Sequence, residues 1–196
     1  MQKIPHNILE KFLSIERLGK YLSMAGNDHA KAVSLYLENL NKCQTLYINL
    51  HWLEIGLRNA INRQLSARFG NEWYNNPKLI LEEIEQSHVR NAQDRLLKDG
   101  KDVSNGNMVA TLSFGFWVNL FNKPYENLWR ICISRSFPAR HASIDRKEMR
   151  KKLHPLLRLR NRIAHYEPIL QHKLPQAKQD IVDIVHWIEP NMPEIP

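Results

Sequence analysis

The chain holds only two cysteines, Cys43 and Cys132, far apart and outside any CxxC or Cys/His pair. That usage supports neither a disulfide framework nor a zinc site, and it points to a reducing, cytoplasmic setting. No run of about 18 apolar residues occurs, so no membrane span is expected. The opening residues, Met1-Gln2-Lys3-Ile4-Pro5-His6-Asn7, lack the basic start and apolar stretch of a secretory leader. Glycines number only seven, and Val, Ile and Thr show no sustained alternation, which removes the strand signal and argues for helices throughout. The P-loop, GxGxxG, HExxH and GxSxG patterns are all missing, so the chemistries they frame have no foothold. His29, His51, His88, His141 and His154 are scattered without ligand spacing, and His172 and His186 are scarcely better placed. Neither a metal nor a cofactor is therefore expected.

What the chain does have is positive charge, and it is concentrated. The formal net charge is +8 and the pI about 9.6. Between Arg130 and His165 stand eleven Lys and Arg residues against Asp145 and Glu148 alone, so this segment carries the whole excess. A basic region of this density calls for a polyanionic partner, and nucleic acid is the first candidate. Arg146, Lys147, Arg150, Lys151 and Lys152 are the expected RNA-contacting cations.

Periodicity predicts an all-α chain of one domain spanning residues 1–196, with 189–196 as a Pro-spaced extended tail. A first helix is expected over 8–25, stopped by Gly26-Asn27. Asp28 is then the N-cap of a long helix reaching Phe69 and ending at Gly70-Asn71. Leu46, Leu50, Leu53, Leu57 and Ile61 recur at three- and four-residue spacing there, a core-facing stripe. Further helices are expected over 77–98, 108–121, 125–135, 145–164 and 175–188, with a polar loop at 99–107.

The helix over 145–164 carries the residues that chemistry could use. On a helical wheel, Leu156, Leu159 and Ile163 fall within about 60°, while Arg158, Asn161, Arg162 and His165 share a sector of about 100° on the opposite side. Arg160 lies at the flank, only about 40° from the apolar edge, where a half-buried guanidinium needs a carboxylate. Glu54, at the margin of the leucine stripe, is the best internal partner, with Arg58 one turn on. A histidine can take a 2′-OH proton or protonate a leaving 5′-oxygen, and an arginine can hold the phosphate between them. An asparagine one turn earlier can orient the ring. The same residues also admit a purely structural reading, with Arg160 and Asn161 stabilising the helix and His165 capping it. Arg160 and His165 are about 140° apart on an ideal helix, so one helix does not aim both at one point; Arg158 shares the face of His165.

Arg160-Asn161-Arg162-Ile163-Ala164-His165-Tyr166-Glu167-Pro168-Ile169 closely resembles the C-terminal signature of the Abi-like (abortive infection) proteins, a bacterial family of the HEPN superfamily. Glu16-Arg17-Leu18-Gly19-Lys20-Tyr21-Leu22 is similar to that family's opening helix. Leu35-Tyr36-Leu37-Glu38-Asn39, Leu53-Glu54-Ile55-Gly56-Leu57-Arg58-Asn59-Ala60 and Leu112-Ser113-Phe114-Gly115-Phe116-Trp117 resemble its central motifs. The resemblance implies a HEPN-like helical bundle with additional helices, homodimers that bring two such motifs together, and metal-independent endoribonuclease activity. It also implies a role in phage defence or as a toxin, with an antitoxin or other regulatory protein as a further partner. By position, Arg160 and His165 match the catalytic pair and Asn161 the polar residue after the arginine. Glu54 and Arg58 match supporting positions; from the helix face itself Arg162 adds support, and Arg158 is the substitute should Arg160 prove structural. Related toxins are modified on a tyrosine two residues after the histidine; here Glu167 stands there and the tyrosine is Tyr166, so that regulation is not carried over.

Three functions follow as expectations: an RNA-cleaving enzyme, an RNA- or tRNA-binding module without catalysis, and a protein-interaction component of a defence system using the apolar 114–121 helix as its interface.

Overall fold

The structure, a computed structural model, describes residues 6–193, and every regular element among them is helical. The chain is all-α, as its periodicity predicts. The expected first helix is divided. Helix α1 (His6–Leu13) and α2 (Ile15–Met24) meet at Ser14, whose φ of 69° breaks the hydrogen-bonding ladder. The stop after α2 is as expected: Gly26 and Asn27 both take positive φ, 66° and 63°, which a glycine adopts freely and an asparagine tolerates.

Asp28 then caps α3 (His29–Phe69) by accepting the Lys31 N–H at 3.0 Å. This helix has 41 residues, so at 1.5 Å per residue it runs for roughly 60 Å and passes through the whole molecule. Gly70, with φ of 90°, ends it. The predicted stripe is buried: Leu46, Leu50, Leu53, Leu57, Ile61 and Leu65 all face the core.

The expected helix over 77–98 begins six residues late, as α4 (Glu83–Lys98). Asn76 explains the delay. Its side chain accepts from the Lys78 N–H at 2.9 Å and donates to the Phe69 carbonyl at 2.7 Å, so the Asn-Pro pair forms a turn instead of a helix start. The apolar 108–121 segment is likewise two helices, α5 (Asn105–Thr111) and α6 (Phe114–Asn119), because Ser104 and Ser113 each accept an N–H three residues on. Phe114, Phe116, Trp117, Val118, Leu120 and Phe121 are all buried, around Trp73 and Phe137. This corrects the expectation that the 114–121 helix is an interaction surface; it is the centre of the core.

After α7 (Glu126–Ile131), α8 (Arg146–Ala164) starts at Asp145, which accepts the Glu148 N–H at 2.8 Å. Helix α9 (Leu174–Ile188) closes the fold, and residues 189–193 follow it without helix; the rest of the expected tail, 194–196, lies outside the described residues, as do residues 1–5 of the opening segment. Helices α2 and α9 pack along α3, while α8 packs against α3, α6 and α9. A second, smaller apolar cluster forms where α2 meets α3, from Leu18, Tyr21, Ala25 and Ala32, and Leu170 packs against it. None of the helices among the described residues is long and apolar enough to cross a membrane.

One buried polar contact ties the segment after α8 to α3. Asn39, 3% exposed, accepts the Ile169 N–H at 2.7 Å across 130 residues of sequence. Replacing Asn39 with Ala orphans that buried N–H and is expected to cost about 1–3 kcal/mol in urea unfolding. An unchanged midpoint would show that the segment is held by other contacts.

Candidate nucleic-acid interface

The end of α8 is closed by backbone alone. His165 is the C-cap, its N–H on the Asn161 carbonyl at 2.9 Å. Tyr166 N–H reaches back to Ile163 at 3.0 Å and Glu167 N–H to Arg162 at 2.8 Å, the paired bonds of a Schellman turn. Such a turn needs a left-handed residue, and Tyr166 supplies it with φ of 57°. Arg162 then straps the turn, donating from Nε to the Pro168 carbonyl at 3.1 Å and pairing with Glu167 at 3.4 Å. Arg162 is thus a positioning residue, its guanidinium engaged.

His165 is exposed on a cavity of about 340 Å³ lined also by Ser14, Glu16, Arg17, Lys20, Tyr21, Tyr166, Glu167 and Pro168. The cations facing it come from α2, almost 150 residues earlier. Arg17 donates from Nη1 to the Tyr166 carbonyl at 3.3 Å and lies over the Tyr166 ring, 5.7 Å from its centroid. Arg17 and Lys20 belong to the opening-helix segment that resembles the family, but no charge pattern or spacing there marks them as site residues. Only the packing of α2 on α3 brings them there.

Arg160 sits elsewhere. Its Nε and Nη2 donate to the two carboxylate oxygens of Glu54 at 3.1 and 3.4 Å, the pairing its flank position predicts. The pair lines a separate cavity of about 270 Å³ with Tyr47, Leu50, His51, Ile163 and Ala164. Arg160 and His165 line different cavities, in keeping with the wide angle between them on the wheel. Arg58, one turn along α3, keeps a buried Nε without a hydrogen-bond partner. Asn161 is exposed on the outer face of α8.

The expected RNA-contacting cations divide. Arg146 is 8% exposed, bonded to Glu126 at 2.6 Å and to the Phe121 carbonyl. Lys152 is held by Asp180 and Asp183 of α9 and lies near the Trp187 ring. Both fasten α8 to its neighbours, so neither is available on an outer face. Lys147, Arg150 and Lys151 are exposed, Lys151 loosely paired with Glu148 at 3.7 Å.

A different strip of basic side chains runs along α8. Arg150, His154, Arg158 and Arg162 follow at four-residue spacing and so lie one above another. His154 and Arg150 share the Asn122 Oδ1, at 3.0 and 2.9 Å. Burial, helped by Arg150 and Arg158, pushes the His154 pKa below its ordinary value. Burial, then Arg162 and Arg158, does the same to His172. Arg158 bears on both rings, so His172 lies within the field of the arginines of this row. Sequence spacing held the signal for His154, which stands midway between two arginines at helical intervals. Among the described residues, no group of three His, Cys, Asp or Glu could hold a metal ion.

No family model, curated protein or solved structure matches the chain. The site is therefore read from its own geometry.

Arg158→Ala removes a cation common to both rings and is expected to raise the His154 and His172 pKa values together, towards 6.5, in an NMR titration. Movement of neither would contradict a shared field.

Proposed function

We propose that this protein is a metal-independent endoribonuclease of the HEPN type, with His165 as its proton-transfer residue. The observation that carries the reading is the company His165 keeps: an open cavity containing Arg17 and Lys20, at the end of the α8 strip. RNA cleavage by this route needs a proton taken from a 2′-OH, attack of that oxygen on the adjacent phosphorus, and a proton delivered to the departing 5′-oxygen, leaving a 2′,3′-cyclic phosphate. An imidazole suits either transfer at neutral pH. Guanidinium and ammonium groups offset the charge that builds on the phosphoryl oxygens. Arg17, Lys20 and Arg158 fill that part, and Lys147, Arg150 and Lys151 extend the track for the strand. Asn161, one turn before His165, serves to steer the ring or the strand.

Arg160 has a divided role. Its fork to Glu54 secures α8 on α3, yet its side chain is still 38% exposed. We propose a second copy of the chain on the adjoining face of α3, where Leu40, Tyr47, Ile48 and Trp52 are 42–62% exposed and Tyr47 borders the Arg160 cavity. A homodimer built there would cover that cavity and join the two Arg160 regions. A strictly monomeric protein in sedimentation at micromolar concentration would remove this part. The biological setting consistent with such an enzyme is the cytoplasm, in phage defence or as a toxin restrained by an antitoxin or another regulatory protein.

The second reading, RNA binding without cleavage, draws on the separation of Arg160 from His165. The two readings part in one assay. Wild-type protein in EDTA is expected to cleave single-stranded RNA, and His165→Ala to do so at least about a hundredfold more slowly while still binding it. Equal cleavage by both proteins would contradict the enzyme reading, and salt-sensitive binding with no cleavage by wild type would favour the binding module.

A further inference from the structure

Tyr166 stands where a helix closed in this manner ordinarily carries glycine. At φ of 57° a β-carbon is penalised, and glycine would occupy the position without strain. The ring does not offset this by entering the core, because Tyr166 is 73% exposed. A large aromatic residue is therefore kept on the surface, in an unfavourable conformation, directly beside His165. Strain of this kind gathers at sites where a side chain is needed for something other than folding.

The surroundings of the ring say what that is. Arg17 lies over it, 5.7 Å from the centroid, and also binds its carbonyl, which holds the ring in place. Two cavities meet at Tyr166. One is the cleft of His165, Arg17 and Lys20; the other, of about 220 Å³, is largely apolar, with Leu13, Tyr36, Leu40, Cys43 and Ile163 in its walls. Two cations, Arg17 and Lys20, stand in the first cavity beside Glu16 and Glu167, and the Tyr166 ring is exposed at its edge. Cations and an exposed aromatic face at one point meet two demands of an unstacked nucleotide, its phosphate and its base.

We propose that Tyr166 is the stacking platform for a nucleobase adjoining the phosphate at His165, with Arg17 and Lys20 as the phosphate clamp. This rests on the RNA reading above and sharpens its substrate class. A base within an A-form duplex is already stacked on both faces, so the platform selects single-stranded or unpaired RNA. Because every base has a π face, it does so without demanding one sequence.

The test uses a fluorescent, mixed-sequence 2′-O-methyl RNA 12-mer, which lacks the attacking hydroxyl and stays intact with the wild-type protein. Binding is followed by anisotropy for wild type, Tyr166→Gly and Tyr166→Phe, against the single strand and against its duplex. Tyr166→Gly is expected to bind the single strand about tenfold more weakly. It should bind the duplex as wild type does, with a Tm no lower than wild type, since glycine relieves the left-handed strain. Tyr166→Phe keeps the π face and should stay within about twofold of wild type. Full affinity in Tyr166→Gly, equal losses in Tyr166→Gly and Tyr166→Phe, or a fall in Tm that accompanies the lost affinity would each overturn the platform. Wild-type protein with no affinity for the single strand would overturn the RNA reading itself, and the two failures are thereby told apart.

Discussion

The arrangement depends on how α8 is made to stop. A helix end leaves carbonyl groups without partners, and here they are satisfied by the turn through Tyr166 and Glu167. The turn would be free to swing were its exit not fixed. Arg162 grips Pro168 from within, and Asn39 on α3 takes the Ile169 N–H in a buried setting where leaving it unpaired is costly. The consequence reaches the surface. His165 is exposed on a cleft whose cations belong to α2, and α2 is itself set by its packing on α3. Helix α3 is the common reference for both walls.

Charge then has two separate uses along α8. Arg146 and Lys152 are spent on structure, gripping Glu126, a carbonyl, and the α9 aspartates. The residues between and after them, Arg150, His154, Arg158 and Arg162, form a row; burial first, and the arginines second, hold the pKa values of His154 and His172 below the ordinary range. Keeping those rings neutral limits repulsion within the row. A polyanion settling on the strip would relieve that repulsion and favour the protonated rings.

Much of the fold could be read from the sequence, because the signals were local. Asp28 and Gly70 bound α3 as capping chemistry dictates, the leucine stripe is buried, and Arg160 meets Glu54 since both flank apolar stripes on facing helices. The failures were of two physical kinds. Side chains competed with the helical backbone at Asn76, Ser104 and Ser113, dividing or delaying helices that hydrophobic spacing alone made continuous. Tertiary placement decided the rest. Arg146 shares the helical spacing of Met149, Leu153 and Leu156, yet only the folded chain shows it buried on Glu126 while Lys147 beside it is exposed. No spacing connects Arg17 and Lys20 to a histidine so distant in sequence. Within the candidate site, His165 was legible at its helix end and His154 was passed over although its spacing marked it, whereas the opposite wall was visible only once the chain was folded.

The central claim is that RNA lies between α2 and the end of α8. Backbone amide shifts of the 15N-labelled protein, followed during titration with the uncleavable single-stranded RNA, test it most directly. The account predicts perturbations concentrated at residues 16–21, 158–167 and 172, with α4 undisturbed. Shifts centred on α4, or spread evenly over the surface, would contradict it.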